Sequence, residues 1–193
     1  DFGLFFSFTT DPLLPETMEL TAQGVKTCVE NGVNVKVLTK RADFIENFFG
    51  LLASYGNFDE EQYREYTAFG FTLTGHDELE RGASSNIERI GAMEELHNRG
   101  YRIFASIEPI VDFPSSMQMI NGSLPFCDLY KIGLMSGNGV TYDSVEAQNF
   151  LSELQQLPGQ PKIYLKNSLV RFLGVDRKTL PENFVESNYN MFG

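Results

Sequence analysis

"FGFTLTGHDELERGASSNIERIGAMEELHNRGYRIFASIEP", residues 69–109, holds one complete strand–helix–strand unit. Phe69–Leu73 is a short β-rich run that ends in hydroxyls. Ser85 with Glu88 has the spacing of a capping box, in which each side chain bonds the other's backbone N–H. Ile87, Ile90, Met93 and Leu96 make an apolar stripe behind it, and Gly100 stops the helix. Arg102–Ile107 is a second apolar run. Two strands joined through a helix are parallel neighbours, connected right-handedly.

The pattern extends in both directions. Further strand-like runs are Gly3–Phe8, Val35–Thr39, Leu129–Ile132 and Ile163–Leu165. Helical patterns fill the gaps at Pro15–Asn31, Arg41–Ser54 and Ser115–Ser123, and again from Asp143. Six β units alternating with helices predict an α/β fold on one parallel sheet. A doubly wound sheet and most of a TIM-type barrel both fit this alternation. Residues 1–173 form the expected domain, and 174–193 a polar tail that packs over one end of it or frays.

Bulk properties narrow the classes of function. The chain has 193 residues, with 26 acidic and 15 basic, a net charge of −11. That balance disfavours nucleic-acid binding through phosphate contacts. No apolar stretch has the length of a membrane span. Cys28 and Cys127 are too far apart for a metal motif and read as small buried residues of a reducing, cytoplasmic protein. His76 falls in a loop and His97 late on a helix, both expected to face solvent.

In either architecture, binding and catalysis concentrate at the carboxyl ends of the strands. Here those ends are polar throughout. They carry Ser7, Thr9, Thr10 and Asp11, then Thr39, Lys40 and Arg41, then Thr72, Thr74 and His76. Ser106 and Glu108 follow, then Lys131 with Ser136 and Asn138 beyond, and last Lys166 and Asn167. Helix capping accounts for any one of them. Together, with Thr72, Ser106 and Lys131 pointing inward, they describe a mouth that binds something charged. A structural Glu108–Lys131 ion pair is a competing reading for two of them.

Five segments resemble the radical S-adenosylmethionine proteins, nearest the spore photoproduct lyase branch. They are "FSFTTDP", "VLTKR", "FGFTLTG", "LERGASSNIERIGAMEELHNRGYRIFASIEPIVD" and "LYKIGL", in the family's order, between about Leu4 and Lys166. The resemblance implies a partial TIM-type (β/α)6 barrel that holds S-adenosylmethionine against a [4Fe–4S] cluster. Reductive cleavage of the sulfonium then yields a 5′-deoxyadenosyl radical that takes hydrogen from a substrate. It implies that Thr9, Thr10 and Asp11 meet the methionine end of the cofactor and Lys40 its carboxylate. It places Thr72 at the ribose, with Ser106 also lining the cofactor site. Glu108 and Lys131 lie deeper, as candidate catalytic residues.

Two departures stand out. The family's Cys-x-x-x-Cys-x-x-Cys motif is absent, and Cys28 and Cys127 cannot replace it, so no metal ligands are assigned. The first strand here therefore corresponds to the family's second. A non-Met start directly into a core strand favours a truncated piece, inactive as it stands, over a natural loss. A sheet lacking its first strand exposes an edge, which implies oligomerisation or shielding by Gly174–Gly193. The family's Glu-Pro-Gly loop also reads Glu80-Arg81-Gly82.

Other functions remain open on the same residues. Lys166 could serve as a Schiff-base lysine, or Asp11 and Glu108 as paired carboxylates of a hydrolase. A non-catalytic binding or interaction module could use the same mouth.

Overall fold

A computed structural model describes residues 3–6, 9–137 and 140–193. Ser7 and Asn138 lie outside the described residues, as does Phe8, the last residue of the first expected strand. Six strands are present: β1 (Leu4–Phe6), β2 (Val35–Thr39), β3 (Thr67–Thr72), β4 (Arg102–Ile110), β5 (Leu129–Leu134) and β6 (Lys162–Leu165). They form one sheet in the order β1-β2-β3-β4-β5-β6, every neighbouring pair parallel. The order never reverses, so the sheet has no switch point of the doubly wound kind.

Between the strands run α1 (Met18–Glu30), α2 (Ile45–Ser54), α3 (Glu60–Tyr66), α4 (Asn86–Asn98), α5 (Phe113–Ser123) and α6 (Ser144–Gln155); α7 (Asn167–Leu173) follows β6. Neither α3 nor α7 is legible in the hydrophobic pattern, each being seven residues long. The helices cover one face of the sheet, where Val35, Val37, Phe69, Phe71, Ile103, Ala105, Ile107, Tyr130, Ile132, Ile163 and Leu165 join the main core. Strand alternation sends the intervening residues to the other, inner face. There Ala68, Phe104 and Leu129 form a second, smaller cluster.

The capping box of α4 forms as expected, with Ser85 and Glu88 bonding each other's backbone. Of its apolar stripe, Met93 and Leu96 are fully buried and Ile90 packs against the core, but Ile87 is 78 % exposed, while Asn86 and Arg89 are buried. Polar partners make that burial possible. The Asn86 Oδ1 accepts from the Thr74 N–H, and its amide donates to Asp77. Arg89 donates to the carbonyls of Thr72 and Ser84 and to the Glu80 carboxylate. A buried guanidinium is tolerated when its donors are met in this way.

The tail does not fray. Ile163 of β6 donates its N–H to Asn183 and accepts from the Val185 N–H, a short parallel bridge on the β6 edge. Met191 then packs on Ala68, Phe104 and Leu129, with Tyr189 and Phe192 beside it, and closes the amino-terminal end of the inner face. The tail thus shields the β6 edge, whereas β1 remains the terminal strand at the opposite side. Among the described residues no helix is long and apolar enough to cross a membrane.

Candidate functional site

Register puts the inner-face residues in rows across the strands. Thr72 stands beside Ser106, Ser106 beside Lys131, and Lys131 beside Tyr164. The row below runs Leu38, Gly70, Phe104 and Leu129. Gly70 is required there: a Cβ at that position would lie 2.1 Å from the Phe104 ring. With no side chain on β3, the Phe104 ring lies across it and forms an apolar floor under the polar row.

Two hollows share this surface. A shallow basin of about 310 Å³ is lined by Thr9, Thr10, Asp11, Leu38, Thr39, Lys40 and Thr72. It brings together all but one of the expected cofactor-binding residues. A deeper cavity of about 500 Å³ holds the other, Ser106, with Glu108 and Lys131, between the Phe5, Phe104 and Tyr164 rings. Asp11 and Glu108 therefore line different hollows.

Within the basin, Asp11 is committed to structure. One carboxylate oxygen accepts from the Leu13 N–H and the Thr39 hydroxyl, the other from the Lys40 N–H. It ties the loop after β1 to the end of β2 and leaves Thr9 and Thr10 exposed at the rim. The Lys40 ammonium lies 2.8 Å from Glu80, its side chain still 45 % exposed. Glu80 also accepts from Arg89 and from the Thr74 hydroxyl. Burial pushes the Glu80 carboxyl up, but the bonds from Arg89 and Lys40 and the Arg89 charge outweigh it and hold the group below its ordinary value. The Glu80–Arg89 pair behind the basin has no signature in the sequence, because a buried Arg and an exposed one look alike on a helix.

In the deeper cavity Glu108 pairs with Lys166, not with Lys131. Glycine again explains the geometry. A Cβ on Gly133 of β5 would lie 2.9 Å from both the Glu108 Oε1 and the Lys166 Cδ. The pair reaches from β4 to the end of β6 across the gap that Gly133 leaves. Lys131 makes no hydrogen bond or ion pair among the described residues. Its ammonium instead lies 4.7 Å from the Phe104 ring centre and 5.1 Å from that of Phe5. Burial, then the nearby charges of Lys36 and Lys166, pull its pKa down to about 8.

Lys36 escapes sequence reasoning, since one lysine inside "VNVKVLT" reads as a solvated position. It is only 7 % exposed and lines the same cavity, its ammonium 5.5 Å from the Phe192 ring centre. The Thr72 and Ser106 hydroxyls also make no hydrogen bond among the described residues, although both residues are buried. His76, expected at the surface, is half-buried and bridges Glu78 and Asp112 at 2.8 and 2.5 Å. His97 is exposed on the last turn of α4.

An iron–sulfur cluster does not fit these residues. Cys28 sits in α1 and Cys127 near the amino-terminal end of β5, both buried. Burial raises both thiols, Cys127 to about 12, away from the thiolate a metal requires. Among the described residues no group of His, Cys, Asp and Glu could hold a metal ion. Comparison of the chain with protein-family models, with curated proteins and with solved structures gave no match.

Proposed function

We propose that this chain is the S-adenosylmethionine-binding part of a radical S-adenosylmethionine enzyme, its sheet a partial TIM-type (β/α)6 barrel. The reading rests on the sequence resemblance, and one structural observation carries it further. Thr72 and Ser106 stand side by side and line the hollows at the carboxyl ends of the strands, their hydroxyls without protein partners among the described residues. Hydroxyls left to solvent in this way can donate to and accept from a ligand. A ribose, with adjacent hydroxyls that donate and accept, matches two such groups on neighbouring strands.

The other roles follow from the resemblance, and the geometry is compatible with them. Lys40, with Glu80 steering its ammonium, presents a point charge at the basin for the amino-acid carboxylate. Thr9 and Thr10 offer hydroxyls at the rim. Asp11 positions that rim, with three of its acceptor sites taken by Leu13, Thr39 and Lys40 and one left on Oδ2 for the methionine end of the cofactor. S-Adenosylmethionine would supply the sulfonium whose cleavage starts radical chemistry. Thiolates for a cluster would have to come from outside this chain, and no reaction step is assigned through one.

Isothermal titration with S-adenosylmethionine and S-adenosylhomocysteine tests the proposal. Saturable binding is expected, weakened about tenfold or more in Thr72→Val/Ser106→Ala, the loss of one or two ligand hydrogen bonds. No saturable heat at millimolar ligand, from a chain shown to be folded by circular dichroism, would overturn it.

A further inference from the structure

The deeper cavity carries a charge arrangement that the cofactor reading leaves unused. Lys36, Lys131 and Lys166 line it, and Glu108 answers only Lys166. Glu186 stands at the rim, 3.9 Å from Arg177. Lys36 and Lys131 are thus two ammonium groups without ion pairs among the described residues, in a hollow walled by aromatic rings. Desolvated like charges are relieved by binding an anion or by losing a proton. On an acidic chain of net charge −11, concentrating unpaired lysines on this one concave face is not a solvation device.

We propose that Lys131 is an imine-forming amine and that the cavity takes a small carbonyl compound bearing a carboxylate or phosphate. Lys166, the earlier candidate for such a role, is already ion-paired with Glu108. The Lys131 Nζ has no such partner among the described residues and lies over the Phe5 and Phe104 rings, inside the cavity. In its neutral form the amine adds to the carbonyl carbon, and the C=O electron pair moves to oxygen. Proton transfer gives a carbinolamine. Loss of that hydroxyl as water, with protons exchanged at the open side, gives the protonated imine. No redox partner is needed. Lys36 and Lys166 offer the charge that holds the anionic end. This assignment does not depend on S-adenosylmethionine binding.

The supporting magnitude is simple. With a pKa of about 8, about a quarter of Lys131 is neutral at pH 7.5, against about one in a thousand for a lysine at its ordinary 10.5. Lower nucleophilicity of the less basic amine offsets part of this, leaving an advantage of about tenfold. The groups facing Lys131 are Lys36 from β2, Glu108 from β4, Tyr164 and Lys166 from β6 and its end, and Glu186 and Tyr189 from the tail.

The test treats the full chain with pyridoxal 5′-phosphate, or with pyridoxal lacking the phosphate, and traps imines with borohydride. Peptide mass mapping then locates the reduced adducts. Lys131 is expected to label about tenfold faster than the exposed Lys178, with a pH profile rising near 8, and the phosphate-bearing probe to react about tenfold faster than pyridoxal. Lys131→Met keeps an apolar stem beside the two rings and should abolish the fast adduct; Lys36→Met should slow it. Labelling of Lys131 no faster than Lys178, or an unchanged fast adduct in Lys131→Met, would overturn the proposal. Equal rates for the two probes would overturn its anionic half.

Discussion

Removing the Glu80 carboxylate is the most informative single perturbation of this fold. Arg89 is fully buried and Glu80's side chain only 5 % exposed, so Glu80→Ala leaves a guanidinium in the core without its counter-charge. Breaking a buried pair from one side costs about 3–5 kcal/mol. Against a typical stability of about 5–15 kcal/mol that is a large fraction. For a chain of this size it corresponds to a fall in Tm of about 6–20 °C. The bonds from Arg89 to the Thr72 and Ser84 carbonyls remain, which argues for the lower half of that range. Urea unfolding followed by circular dichroism gives the number directly. The double variant Glu80→Ala/Arg89→Met should recover part of the loss, because no charge is then left buried. A linkage argument gives a second readout. Glu80's folded pKa lies below its unfolded value near 4.5, so its contribution is complete above that value and lost as pH falls through the folded pKa. The wild-type chain should therefore lose more stability than Glu80→Gln on acidification below pH 4.5. A Glu80→Ala loss under about 1 kcal/mol, or a double variant less stable than the single one, would refute the network's role.

Gly133→Ala should displace the Glu108–Lys166 pair at little cost, because the new Cβ meets Glu108 Oε1 and Lys166 Cδ at 2.9 Å but both belong to flexible, partly exposed side chains that can turn aside. Thermal unfolding should show under about 1 kcal/mol of destabilisation, and a loss of about 3 kcal/mol or more would count against that freedom. Deleting residues 183–193 removes the bridge to Ile163 and the Met191 contact with Ala68, Phe104 and Leu129. Light scattering of that variant should show self-association through the bared β6 edge, and a monomer of unchanged stability would count against the tail's role.

The sheet was legible because its strands announce themselves on the helix-facing side. "RIFASIE" places Ile103, Ala105 and Ile107 in the main core and leaves Arg102, Phe104, Ser106 and Glu108 for the other face. Reading such runs as apolar throughout hides that alternation, yet strand order and parallel pairing still follow from the alternation of strands with helices. The inner-face placement of Thr72, Ser106 and Lys131 follows from the same period of two. What could not be read depends on pairs distant in sequence. Arg89 is buried while Ile87 of the stripe is exposed because Glu80, Thr72 and Ser84 satisfy the guanidinium, and only the folded chain brings those groups together. Glu108 selects Lys166 over Lys131 because the intervening residue is glycine, a fact of register. The seven-residue α3 and α7 are too short for periodicity to rise above noise.

The two hollows differ in charge, and that difference assigns ligands to them. The deeper cavity has three lysines and one paired carboxylate at its centre, so a sulfonium placed there would face uncompensated positive charge. At about 8 Å and an effective dielectric of about 20, each such repulsion is worth about 2 kcal/mol. The basin has a different balance. Among the described residues that line it the one cation, Lys40, is answered by Glu80, and Asp11 lies at its wall. A zwitterionic amino-acid end with a neighbouring sulfonium is better tolerated in the basin, and an anion in the cavity. Thr72 lines the basin, Ser106 lines the cavity, and the two are adjacent in one row. The proposed cofactor and the proposed carbonyl compound would then lie side by side, opposite in charge. That proximity is what a reaction between them would require, and it arises from the register of β3, β4 and β5 alone.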